Sequence, residues 1–554
     1  MRRLNCPVQN YAWGKRGKDS MVSKLKMLEN EGFVTDEDKT YAELWMGTHP
    51  NGPSRVMPEP GDFTEGAEEG HAGIFLIELL ETHPHYLGDL QEQGDLPFMF
   101  KVLSINKALS IQAHPDKKLA ERLYATRPDL YKDDNHKPEM AVALSDFEGL
   151  CGFRPFEEIV FNLHRYPELR GLVSLSAMRA MCSLPEDPED RRDALRKLFQ
   201  SYITAKPEVV MTQVNALVQR LGERAVDDGG FSSDESSLDH TDHEEIDMDD
   251  IYGEGYEYRE KGEHNLRRLR AEDYYVQELM RRLATEYPGD IGIMMPLLLN
   301  YLRMGVGESF FMAANEPHAY LKGDIMEVMA RSDNVVRVAL TPKHRDVPLL
   351  CEILTYNMGA PPIVTPIQVD GCTRRFTPPI EDFELDDMRV PEGTEYTPLA
   401  LPVPSICMIL EGTGRASDGV RETGLRPGVV VFVAAQSVAT FTASAGCSSL
   451  RVIRTHTNVN VDSNGVFMGA ASLCRGFWTL YVVTDGTCGE IIVYDLMRWK
   501  VYMYVVSRNY LSTGIILWQW LTVNRIESNR YRLCRRRLLS SVSLSCSPCL
   551  SFCG

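Results

Sequence analysis

The sequence has no hydrophobic run of membrane-spanning length. Its most apolar late stretch, GIILWQWLTV at 514–523, is about half of the ~20 residues a spanning helix needs, so neither a transmembrane helix nor a membrane partner is expected. The opening MRRLNCPVQNYAWGKRG lacks an apolar stretch behind its basic residues, so no secretory signal is expected either. Paired cysteines are also missing: the 13 cysteines are scattered, and none before residue 540 falls in a CxxC spacing. In a chain without a leader they read as reduced thiols, and the expected location is cytoplasmic. Late Cys546, Cys549 and Cys553 have no second CxxC or His pair to close a tetrahedral site, so they are not taken as a zinc knuckle.

Basic charge is scarce too. Lys and Arg number 59 against 78 Asp and Glu, a formal charge of −19. Most of the excess is local. Residues 227–260 hold 14 acidic side chains and one basic, Arg259, a net −13 from that segment alone. So charged a run, poor in aliphatics, cannot bury enough surface to fold, and a disordered acidic insertion is expected over 227–263. The remainder is mildly acidic with no basic face, so nucleic acid is not an expected partner.

What is present is the composition of an ordinary folded protein, 44% hydrophobic and 25% charged. The 554 residues suggest roughly three or four domains. Up to about 150, short apolar runs broken by Gly, Pro and Asn ("LPFMFKVLSI", "ALSIQAH") read as strands. From 155, "PFEEIVFNLHRYPELRGLV", "DRRDALRKLFQSYI" and "VVMTQVNALVQRLGERAV" carry apolar residues at three- and four-residue spacing, the mark of amphipathic helices. Helical texture resumes after the acidic segment at "DYYVQELMRRLATEY" and "GIMMPLLLNYLRM". Strand texture returns from "GESFFMAANEPHAYLKGDIMEVMA" through "PGVVVFVAAQS". The expected organisation is a β part (1–151 and 306–345), a helical part (152–305) and a second β part (346–456). Residues 457–554, with four of the six tryptophans and six of the 13 cysteines, are expected to be a poorly ordered tail.

Two polar clusters carry chemistry. In "LSIQAHPDKK", strand alternation puts Ser110, Gln112 and His114 on one face and Ile111 and Ala113 on the other. That suits a lined cavity, and a solvent-facing strand side equally well. In "DDNHKPEMAV", Pro138 excludes a helix interior and pushes Lys137 to an extended conformation. Lys137 and Glu139 then share a face, and His136 takes the other, so Glu139 is the better metal-ligand candidate. "NEPHAYLKGDIMEVM" adds His318 where the chain enters a strand. Gln112, His114, Glu139 and His318 together make a nitrogen- and oxygen-rich set that suits Zn²⁺; without Cys it is not a structural zinc site.

In order along the chain, "ELWMGTHPNGPS", "LSIQAHPDKKLAE", "DDNHKPEMAVAL", "GLCGFRP", "YPGDIG", "ANEPHAYLKGDIMEVMARSDNVVRVALTPKHRDV" and "ILEGTG" closely resemble the type I phosphomannose isomerase family. The resemblance runs to about residue 456 and omits the acidic segment and the last hundred or so residues. It implies a mainly β fold with an α-helical insert: two cupin-type β-barrel (jelly-roll) domains plus a helical domain. It implies one Zn²⁺ per chain on Gln112, His114, Glu139 and His318. The implied reaction interconverts mannose 6-phosphate and fructose 6-phosphate through an enediol, feeding mannose into GDP-mannose synthesis and glycosylation. Arg337 falls on the family's catalytic arginine, and Ser110, Lys101 and Lys343 match positions suited to the phosphosugar. The base is left open: Lys137 and Glu327 rank evenly, with Asp333 third, and Glu327 could equally be the ion-pair partner of Arg337. A monomer is expected. A non-catalytic sugar-binding cupin and a cupin-type metal dioxygenase remain as other readings.

Overall fold

The computed structural model describes residues 1–58, 73–227, 259–446 and 448–459 (backbone only at 223–227 and 259–271), with the backbone of four strands between 467 and 507. The acidic segment and the tail read from the sequence lie mostly outside the described residues. Residues 1–463 form one compact unit and 464–554 another. In the second, Phe467–Ala470, Leu480–Thr484, Glu490–Met497 and Lys500–Ser507 pair antiparallel in that order.

One strand of 13 residues, His318–Ala330, organises the larger unit. Its C-terminal half pairs with Phe98–Ile105 on one side and Glu139–Ala143 on the other, and Glu43–Met46 and Ser309–Met312 extend the sheet outward. Its N-terminal end pairs instead with Ile111–Ala113 and Phe147–Phe153, which continue to Val336–Ala339 and Leu299–Met304. The change of partners passes through an irregularity between Tyr320 and Lys322 and through Gly323 at φ +116°. A Cβ on Gly323 would lie 2.5 Å from the Asp146 carbonyl oxygen, so glycine is what lets the strand turn from one set of partners to the other.

The architecture is mainly β with a helical insert, as expected. Helices Phe156–Arg165, Leu175–Cys182, Pro188–Ile203, Pro207–Asp227 and Arg259–Glu286 supply the insert. Leu195, Leu198, Phe199, Leu217, Met280 and Leu283 join one buried core with Ile111, Ala113, Leu150 and Val336 of the strands. The insert thus backs one wall of the β part, and Ile111 and Ala113 point into it.

Two readings of local structure change. The first 150 residues also contain helices, Met21–Glu29, Leu76–Thr82 and Lys117–Thr126. The signal for the last was present: Asp116 caps it by accepting from the Leu119 N–H, ahead of an apolar stripe of Leu119, Ala120 and Leu123. Conversely, "GIMMPLLLNYLRM" is a 3₁₀ helix, Ile291–Leu297, followed by a strand, Leu299–Met304. Pro296 removes a helical donor, and the strand pairs with Phe147–Phe153.

The other β part is an eight-stranded sheet facing a four-stranded one. The first strand of the chain, Arg2–Asn5, lies in this sheet beside Val430–Val433. Met388, Ile409, Val431 and Val452 of the larger sheet meet Phe441 and Ala443 of the smaller in one core. Beside that core Asp386 is fully buried and accepts from Arg375 and Arg454, with His456 Nε2 at 3.6 Å. Burial would raise its pKa, but His456 and the two guanidinium groups outweigh burial and pull it far below the usual range. The resulting stability is fully present above the unfolded Asp value of about 3.9 and is lost as pH falls below it. Asp386→Asn should cost about 3–5 kcal/mol at pH 7, because it leaves the buried Arg454 without its anion and Arg375 with only Glu384, 3.6 Å away. Chemical denaturation at pH 7 and pH 3 checks this; the gap between wild type and variant should narrow at the lower pH.

Among the described residues no helix is long and apolar enough to cross a membrane.

Candidate metal centre and active site

Three chain segments far apart in sequence meet at one point. His114 leaves the strand Ile111–Ala113, Glu139 opens Glu139–Ala143, and His318 opens His318–Ala330. One ligand atom from each lies within 4.8 Å of the others, and all three residues are buried. His114 Nε2 is 3.3 Å from Glu139 Oε1, and His318 Nε2 is 3.3 Å from Glu139 Oε2.

The imidazoles are oriented from behind. His114 Nδ1 lies 2.7 Å from the Asn334 carbonyl and His318 Nδ1 lies 3.0 Å from the Glu316 carbonyl. A carbonyl only accepts, so each Nδ1 carries the proton and each Nε2 presents a lone pair to the centre. Burial pushes the His114 pKa down to about 4, which keeps the ring neutral near pH 7. Burial would raise the Glu139 carboxyl, but it is held well below the carboxylate range, with the Lys137 ammonium 3.3 Å away favouring its charge. Three acceptor atoms therefore converge, and His114 Nε2, Glu139 Oε2 and His318 Nε2 are buried without a hydrogen-bond partner. Left uncompensated, such atoms each cost about 1–3 kcal/mol. A cation removes that cost. Ligands about 2.0–2.1 Å from a tetrahedral centre stand about 3.3–3.4 Å apart, the spacing found here. The donor set fits a metal ion.

Register places the fourth candidate. Gln112 pairs with His318 on one side and Arg337 on the other. Cross-strand partners share a face, so Gln112, His318 and Arg337 all project to the side opposite the helical core. Gln112 Oε1 accepts from Ser110 Oγ at 3.1 Å. Lys137 Nζ stands 3.3 Å from Glu139 Oε1, while His136 turns away to Asp382 at 3.0 Å.

A second ring of polar groups continues along the same face. Lys101 is opposite Glu327 and Trp45 is opposite Lys101. Lys101 Nζ lies 3.2 Å from Glu327 Oε2, 3.9 Å from Glu43 Oε2 and 5.1 Å from the Trp45 ring centroid. Burial alone would lower the Lys101 pKa, but Glu327 and Glu43 raise it instead. Glu327 also accepts from the Tyr320 hydroxyl at 2.7 Å; burial moves its carboxyl up, against the pull of Lys101. The cation beside Glu327 is therefore Lys101 and not Arg337. Asp333 holds His49 at 3.3 Å and accepts from Asn51, and the His49 contact draws its pKa down.

Arg337 and Lys343 differ from these paired groups. Neither side chain forms an ion pair or hydrogen bond among the described residues. Burial lowers the pKa of both, and the nearby Arg337 charge lowers Lys343 further. Arg337 shares the face of Gln112, and the exposed Lys343 lies near enough to feel its charge. Glu43, Trp45, His49 and Tyr320 were not singled out from the sequence. For Glu43 and Trp45 a signal existed: the i, i+2 alternation in "ELWMGTHP" puts both on one strand face.

Fold and site define a class, a mainly β protein with a buried candidate metal centre opening beside free cations. Residues 1–156 match the family described as phosphomannose isomerase type I, catalytic domain. The chain is 37% identical over 441 residues to mannose-6-phosphate isomerase 1 of Arabidopsis thaliana, covering 79% of this chain and 90% of that one. It is 38% identical over 443 residues to the Homo sapiens mannose-6-phosphate isomerase, covering 78% and 93%. A crystal structure of mannose 6-phosphate isomerase bound with zinc and yttrium superposes with a TM-score of 0.62 at 26% identity, covering 83% of this chain and all (100%) of that one. The apo form from Salmonella typhimurium gives 0.62 at 27%, covering 83% and 99%. The chain belongs to the type I phosphomannose isomerase family, and it is an enzyme.

Proposed function

We propose that this enzyme interconverts mannose 6-phosphate and fructose 6-phosphate with one Zn²⁺ held by Gln112, His114, Glu139 and His318. The observation that carries the reading is the convergence of three unpartnered buried acceptors, His114 Nε2, Glu139 Oε2 and His318 Nε2, beside Arg337, which has no ion pair among the described residues. Bound there, zinc supplies Lewis acidity toward the sugar oxygens, a contribution on the order of several kcal/mol.

The chain's own groups do the rest. The isomerisation moves a proton between C2 and C1 of the open-chain sugar and develops negative charge on the adjoining oxygens. Arg337 is permanently charged and stabilises that charge. Lys343, with the Ser110 hydroxyl, anchors the phosphate dianion. Lys101 balances Glu327 inside the wall. The proton is carried by Lys137 or Glu327, both held on the inner face; Asp333, whose carboxylate is stabilised by His49, is the weaker base. A dioxygenase site would leave Gln112 without a purpose, and a sugar-binding module would leave Arg337 without one.

We place the enzyme in the cytoplasm, which suits the free thiols of Cys6, Cys151, Cys182, Cys351, Cys372 and Cys407. We read it as a monomer. A coupled assay for fructose 6-phosphate formation, with and without chelator, tests the function. Turnover should vanish on chelation and return with Zn²⁺; no turnover from folded, zinc-loaded protein would refute it.

A further inference from the structure

A hydrogen-bonded bridge stands directly behind the candidate metal centre, and neither its hub nor its central amide is among the candidate ligands or catalytic groups. Its hub is Asp133. The carboxylate accepts from Ser332 Oγ at 2.7 Å, the Asp333 N–H at 2.7 Å, Asn334 Nδ2 at 3.1 Å and the Asn135 N–H at 3.0 Å. Asn334, itself buried, adds two contacts from Nδ2, to the carbonyls of Asp133 at 2.8 Å and Asn135 at 2.9 Å. Its own Oδ1 is buried with no partner among the described residues. The same residue's main-chain carbonyl receives His114 Nδ1 at 2.7 Å.

We propose that Asp133 and Asn334 are positioning residues that set the ligating atom of His114 against Glu139. The inference rests on the zinc reading above. The geometry gives the bridge two jobs. It fixes the Asn334 carbonyl, and a carbonyl at that point selects the His114 tautomer whose Nε2 is bare. It also ties the segment carrying Lys137 and Glu139 to the segment carrying Asp333 and Asn334, which is 199 residues away at the Ser332–Asp133 contact. The 3.3 Å spacing between His114 Nε2 and Glu139 Oε1 is therefore a property of the bridge as well as of the two strands. A bridge that served only to hold the turn together would affect stability and leave metal affinity alone.

The test is zinc affinity, measured on the full chain by competition with a chromophoric chelator, with the Tm of the metal-free protein as the stability readout. Asn334→Ala and Asp133→Asn should each weaken zinc binding about 10–100-fold, the range for outer-shell partners of metal ligands. Ser332→Ala, which removes one hydroxyl donor and is the gentlest change, should weaken it less, and keeps the test open if the other variants do not fold. Asp382→Asn, which loosens the same segment through His136 without touching the bridge, should leave affinity unchanged. Wild-type affinity in folded Asn334→Ala, or an equal loss in Asp382→Asn, overturns the proposal. His318→Ala separates the two levels: if it binds zinc as well as wild type, the zinc reading itself fails, whatever the bridge variants do.

Discussion

Glu139→Gln should lower isomerase kcat/KM about 10³–10⁴-fold, or ~4–5.5 kcal/mol at 1.36 kcal/mol per decade. The substitution keeps the shape of the side chain and removes only its charge. That charge lies between the two imidazoles, 3.3 Å from each Nε2, and it is the only anion among the three buried candidate ligands. A neutral amide cannot offset the divalent charge, and its NH₂ would meet a lone pair. On the metal-free protein a loss of stability is expected too: Glu139 is the anion of the buried Lys137, whose Nζ lies 3.3 Å from Oε1, so the variant should melt below wild type. Metal analysis, the coupled assay and melting of the metal-free form check all three together. Turnover within tenfold of wild type would show that Glu139 does not hold the metal.

Arg337→Ala should cost about 10²–10³-fold in kcat/KM, the range for removing one stabiliser of developing oxyanion charge. Arg337 has no competing ion-pair role among the described residues. It is half-buried on a strand that pairs with Gln112. A structural arginine in such a place would be paired. Removing it should therefore leave the Tm unchanged or raise it, since the neighbouring Lys343 loses a like charge. Arg337→Lys should recover only part of the rate, because a point charge does not reproduce the fork of a guanidinium. A Tm drop of several degrees together with wild-type turnover would assign Arg337 to the fold instead.

Much of the site was legible because it is written in short, rigid pieces. Pro138 dictates extended backbone, so Lys137 and Glu139 must share a face and His136 must leave it, and the two groups do go to Glu139 and Asp382 respectively. Alternation alone sends Ile111 and Ala113 one way, and they lie in the helical core. Where local texture misled, a longer-range partner had prevailed. The apolar run after Pro296 looked helical, yet Leu299–Met304 gains more by pairing with Phe147–Phe153.

By itself the sequence determined which groups are available and which way each faces within its own strand, because side-chain direction follows from residues one or two positions away. It also determined the family, through motifs that tolerate little change. Only the tertiary structure decided who faces whom. That Lys101 serves Glu327, that Gln112 lies between His318 and Arg337, and that Asn334 stands behind His114 are all facts of register between distant strands and loops. Register is set by backbone hydrogen bonds and burial across hundreds of residues, and a slip of one position would reverse every face. Local spacing carries no information about that choice. It also leaves no trace that Arg337 and Lys343 form no ion pair among the described residues, which only the packed chain reveals.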